Sequence, residues 1–359
     1  MPETKVSVRT CRWLDDAPFA YSMTYDEGTV DALANALPIH QQFGFPGHVD
    51  VVAGQLGRRR DAWGSSLNDY MHMSVEEIRF LIDRGWGVGN HSWSHYSHPL
   101  QPGLDLWREV VWSKYRLEDV LERPVRIFTI PNDRHNYEPV LDIVKQHYLA
   151  CAYIDGGPNR EGFDLYRIGN FMVASGEISS TWDWKRELLT PNLTLAFLHG
   201  SWLYETSHLV MWDVPQAHKC ITPADLSARF EALTEISDGA LWAATPDDVV
   251  DYVLLRRNLT TEVIDANTRS VEFEVQGQWP TGVVSGRLSF RISGLPSAGD
   301  FQASVTPSPM PGGGLRSQCY AARRCGDDFV VTADAVPGAR VTVTVCPPSD
   351  RAGAGNEAD

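Results

Sequence analysis

Near Arg257 the chain changes rhythm, and that change limits it to two-part architectures. Before it, short apolar runs bounded by Gly, Pro or Asp alternate with helix patterns carrying their own start and stop signals. Strands that are apolar on both faces, each followed by an amphipathic helix, form a parallel sheet covered by helices. After Arg257 come period-two segments, Ser270–Val275, Gly286–Ser293, Phe329–Ala333 and Ala339–Val345, separated by Gly- and Pro-rich turns. That period belongs to antiparallel strands with one face buried, as in a small sandwich.

In the first part, Phe19–Tyr25, His48–Ala53, Trp86–Asn90, Val125–Pro131, Leu149–Ile154, Leu193–Leu198 and Ala240–Ala243 are the expected buried strands. Ser74 with Glu77 forms a capping box, Ile78, Leu81 and Ile82 give one apolar face, and Gly85 suits a left-handed C-terminus. Thr222-Pro223 and Thr245-Pro246 open two further helices. The pattern predicts an α/β fold over residues 1–257, either a (β/α) barrel of about seven strands or an open parallel sheet. An all-β domain follows over 258–348, with a flexible tail at 349–359.

Thirty-one Lys and Arg against 46 Asp and Glu leave a net charge of −15, which disfavours nucleic acid, anionic lipid and polyanionic polysaccharide as ligands. A neutral or cationic small molecule is expected instead. Met1–Cys11 contains no apolar core of signal-peptide length and no later stretch reaches a membrane span, so a cytoplasmic location is expected. Six cysteines include no C-x-x-C pair, and only Cys319 and Cys325 are close enough for a local bridge. Arg58-Arg59-Arg60 is expected to be a solvated loop.

In parallel α/β folds, working residues gather where strands end. Asp26 and Glu27 follow the first predicted strand, His91 and His95 the third, and His199 the run Leu193–Leu198. Two histidines four apart can bite one ion, and with one carboxylate they form the two-His, one-carboxylate set of catalytic zinc sites. His98, three residues beyond His95, is a competing ligand.

The segment Ser22-Met23-Thr24-Tyr25-Asp26-Glu27-Gly28 resembles the T-F-D-D-G motif of the polysaccharide deacetylases, and Gly89-Asn90-His91-Ser92-Trp93-Ser94-His95 resembles their second motif. Ile78–Gly85, Trp182-Asp183-Trp184 and Leu195–His199 resemble later segments of the same family, and the likeness covers roughly residues 17–255. It implies a distorted (β/α) barrel and a metal-dependent amide hydrolase that removes an N-acetyl or other N-acyl group from an amino sugar or glycosylated small molecule. Asp26 would be the general base, Glu27, His91 and His95 the ligands of one divalent ion, most simply Zn2+, and His199 the general acid oriented by Asp183. Two departures stand out: Glu27 replaces the family's Asp, and Thr129 falls where a third-motif Arg is usual, with Arg134 as a substitute.

Trp182, Trp184 and Trp202 flank the proposed site and are candidate platforms for a sugar ring. Two other readings share these residues: hydrolysis of a cyclic amide or imide on the same fold, and a relative that binds carbohydrate without turnover. The second domain could serve recognition or self-association.

Overall fold

In a computed structural model of the chain, the described residues are 6–61, 67–132, 137–153, 158–175, 194–215, 219–267, 269–295, 300–306 and 318–346. The chain divides into two compact units, Ala17–Val250 and a second formed by Met1–Asp16 with Asp251–Asp359.

The first unit is built on parallel strands β1 (Ala20–Glu27), β2 (Gly47–Val51), β3 (Gly87–Asn90), β4 (Ile127–Thr129), β5 (Ala150–Tyr153), β6 (Ile168–Gly169), β7 (Phe171–Met172) and β8 (Trp202–Ser207). Their order is β6-β5-β4-β3-β2-β1-β8-β7, with the short strand Trp242–Ala243 pairing beside the start of β1. β6 and β7 are two halves of one stretch interrupted at Asn170, so the path returns on itself. The result is a distorted (β/α) barrel of seven staves, the arrangement implied by the family likeness.

Alternation along each stave explains the layers. Tyr21, Met23 and Tyr25 on β1 and Val49 and Val51 on β2 face outward into the apolar layer that holds Ile78, Leu81, Phe230 and Leu233 from the helices. The intervening side chains Ser22, Thr24, Asp26, His48 and Asp50 are buried and polar. Helix α1 (Val75–Ile82) carries the predicted capping box, with Ser74 N donating to Glu77 Oε2 at 2.7 Å and Glu77 N to Ser74 Oγ at 3.2 Å. Gly85 then adopts φ 83°, the left-handed conformation that ends the helix cheaply. Both Thr-Pro signals also cap helices, Pro223–Ile236 and Pro246–Asn258.

One predicted element differs. Residues 194–198 of the predicted strand Leu193–Leu198 are not a strand: Leu195–Leu198 forms a short helix whose N-cap Thr194 accepts from Phe197 N at 3.2 Å. A brief apolar run fits either state, and a capping hydroxyl decides between them. The strand that follows is β8, and the sixth stave, Ile168–Gly169 with Phe171–Met172, is too short to show a period.

The second unit contains an eight-stranded antiparallel sheet path. Its first strand, Ser7–Thr10, pairs with Arg287–Ser293, so the opening residues belong to this unit and not to the barrel. Val271, Phe273 and Val275 alternate inward along Ser270–Gly277, as period two requires. Cys325 carries a free thiol.

Candidate functional site

The C-terminal ends of the staves bring together Asp26 and Glu27 from β1, Asp50 from β2, His91 after β3, and His208 after β8. Asp26 and Asp50 are register partners on adjacent strands. Asp26 Oδ1 accepts from Thr206 Oγ1 at 2.9 Å, while neither oxygen of the fully buried Asp50 has a hydrogen-bond partner. Burial first, and the Asp50 carboxylate second, raise the Asp26 pKa to about 8. Gly89 on β3 creates the space: a Cβ there would lie 2.0 Å from Asp50 Oδ1.

Four strained backbone positions lie around this mouth. Glu27 (φ 74°), Ser92 (φ 70°), His95 (φ 56°) and Asn132 (φ 57°) are all left-handed without being glycine. Such conformations cost of order 1–3 kcal/mol each and persist where surrounding contacts hold a site in place. Gly28, at φ 67°, completes the sharp turn that aims Glu27 inward.

His91 Nδ1 donates to the Thr129 carbonyl at 2.9 Å, which leaves the lone pair on Nε2. His95 lies beside it, ring centroids 4.9 Å apart, with Nε2 3.5 Å from Glu27 Oε1. The other Glu27 oxygen pairs with the buried Arg60 guanidinium, and the Glu27 carbonyl accepts from His72 Nδ1 at 2.7 Å. Burial lowers the pKa of His72 to about 3 and of His91 to about 4, and pushes His95 well down. Lys219, whose pKa burial also lowers, interacts electrostatically with Asp26.

The expected ligand set fits a divalent ion poorly. Glu27, His91 and His95 do converge, but among the described residues no group of three potential ligands is spaced to hold an ion. Arg60 already pairs with Glu27, so that carboxylate has a counter-charge before any ion arrives. Asn132 Nδ2, oriented by its 2.7 Å bond to the Tyr96 carbonyl, points at His95 Nδ1 from 3.3 Å. His98, the competing ligand, is exposed, and its Nδ1 accepts from Leu100 N at 3.1 Å.

Three sequence expectations need revision or fall elsewhere. His199 is exposed at the end of the short helix Leu195–Leu198 and precedes β8, so it stands at the amino-terminal edge, opposite Asp26. Trp202 is fully buried, donates Nε1–H to Ser22 Oγ at 3.1 Å and packs on Tyr204; it is barrel core and not a platform. Asp183, Trp182, Trp184 and Arg134 lie outside the described residues.

Asp50, Arg60, His72, His208 and Lys219 were missed. His208 could have been found, since it follows the apolar run Trp202-Leu203-Tyr204 and a strand end is where function gathers. Arg60 could not: only tertiary structure takes it from the basic run and buries it to 2% exposure. Beside this mouth a cavity of about 340 Å³ is lined by Trp93, Arg58, Arg108 and Arg116, with the Arg108 guanidinium 4.9 Å from the Trp93 ring.

The family model for polysaccharide deacetylase matches residues 15–151. Among solved structures, the chain is similar to a Bacillus cereus polysaccharide deacetylase (19% identity, 41% of this chain and 45% of that one, TM-score 0.33). It is also similar to the Streptococcus pyogenes deacetylase PplD in complex with acetate (18% identity, 41% and 62%, TM-score 0.35). A third is IcaB from Ammonifex degensii (22% identity, 45% and 69%, TM-score 0.38). The chain therefore spans less than two-thirds of the first two neighbours. Comparison with curated proteins gives no match.

Proposed function

From a chain that carries a polysaccharide deacetylase domain over residues 15–151, we propose a hydrolase that removes an N-acyl group, acetyl in the simplest case, from an amino sugar or glycosylated small molecule. The observation that carries this reading is a buried Asp26 carboxyl at the mouth of the barrel, held by Thr206 Oγ1 and in register with Asp50, its pKa raised to about 8 by burial and by the Asp50 carboxylate. A base whose pKa lies near the working pH combines availability with driving force for proton transfer.

Asp26 takes the proton of the attacking water, whose oxygen adds to the acyl carbonyl. The Lys219 cation offsets the negative charge that develops on the carbonyl oxygen, as an oxyanion-stabilising group does. His208, buried at the end of β8, protonates the leaving amine. It replaces His199 in that role. The family likeness implies a divalent ion held by Glu27, His91 and His95; the Arg60 pairing disfavours it, and no step here passes through it. Trp93 and its cavity would receive the sugar ring.

The test is acetate release from N-acetylated mono- and oligosaccharides by purified protein, with Asp26→Asn as the control. Release abolished by Asp26→Asn supports the reading, and no release from any N-acetyl amino sugar overturns it.

A further inference from the structure

The Arg60–Glu27 pair is buried at the mouth of the barrel.

Arg60 comes from the segment after β2, where Arg59 bridges Met71 and Arg60 exchanges backbone hydrogen bonds with Tyr70 and Asp69. Those bonds fix the backbone so that the guanidinium turns inward, reaching Glu27 with 1% of each side chain exposed. A carboxylate held by a buried guanidinium already has its counter-charge, and a fork of N–H donors matches its geometry better than a point charge would. His95 Nε2 stands 3.5 Å from the remaining Glu27 oxygen, which accepts no hydrogen bond among the described residues.

We propose that Arg60 is the resident cation of this site: its guanidinium occupies the electrostatic position of the family's divalent ion, and the protein binds no metal there. Glu27 then serves as an anchor for Arg60 and not as a ligand. The longer side chain of Glu relative to Asp is what an anchor needs in order to meet a guanidinium arriving from another loop. The inference concerns only what the site holds, so it stands or falls separately from the deacylase reading.

The experiment measures metal content and zinc-induced thermal shift on the full-length protein, without substrate. The expected result is well below one zinc, cobalt, nickel or manganese ion per chain, and no rise in Tm on adding equimolar ZnCl2. Arg60→Met, which keeps the length and removes the charge, is expected to release Glu27 and gain a zinc-dependent rise in Tm. Arg60→Gln provides the same comparison with a hydrogen bond to Glu27 retained, should the methionine variant not fold. Wild-type protein that carries about one ion per chain, or folded Arg60 variants that gain no zinc response, would overturn the proposal.

Discussion

Asp26 and Asp50 face each other in register on neighbouring parallel strands, buried, with one carboxyl held by Thr206 and the other without a hydrogen-bond donor. Burial raises the pKa of Asp26 first, and the neighbouring Asp50 carboxylate raises it further, because two adjacent carboxylates cannot both ionise without cost.

Asp26→Asn is therefore expected to raise stability while removing activity. The folded-state pKa of about 8 lies above the ordinary carboxyl value of 3.8, so between those limits the folded state holds the proton more tightly. Stability due to this group falls as pH rises through that window, by on the order of a few kcal/mol in full. Thermal melts should show the Asn variant gaining over wild type at pH 8 and not at pH 4. Turnover should drop ~10²–10⁴-fold, the usual loss for a general base.

His208 and His199 should separate cleanly in kinetics. His208→Ala is expected to lower hydrolysis of an amide far more than that of an activated aryl ester, whose leaving group needs no proton. His199→Ala, exposed at the other end of the barrel, should leave both rates within about twofold. Equal losses on both substrates from His208→Ala would give that imidazole a structural role.

Trp93 and Trp202 provide a contrast between cavity wall and core. Trp93→Ala should raise KM with little change in Tm, since the ring lines the cavity. Trp202→Ala, at 0% exposure, should cost about 3–5 kcal/mol of stability by emptying the barrel interior, and leave KM unchanged in the folded fraction. Urea melts and initial-rate kinetics on both variants distinguish the two cases.

Gly89→Ala tests the space around Asp50. The added Cβ would meet Asp50 Oδ1 at 2.0 Å and His48 Nε2 at 2.8 Å, so the carboxylate must move. A loss of about 1–3 kcal/mol is expected from overpacking. In an Asp50→Ala background the loss should shrink, because the closest clash is gone; purely additive losses would place the strain elsewhere.

Much of this was present in the order of residues. The capping box at Ser74, the Thr-Pro helix starts and the period-two strands after Arg257 act over three or four residues, where local hydrogen bonding and burial decide the outcome. The pairing of Asp26 and Glu27 with His91 and His95 was equally legible, because strand ends in a parallel barrel share one rim. Tertiary structure alone decided the rest. Leu195–Leu198 became a helix and moved the working strand end from His199 to His208, since short apolar runs carry no period of their own. Arg60, one of three adjacent arginines that look alike in sequence, was chosen by a backbone bridge near Met71 and buried against Glu27. Charge at a site depends on distances between segments far apart in the chain, and local sequence cannot specify those distances.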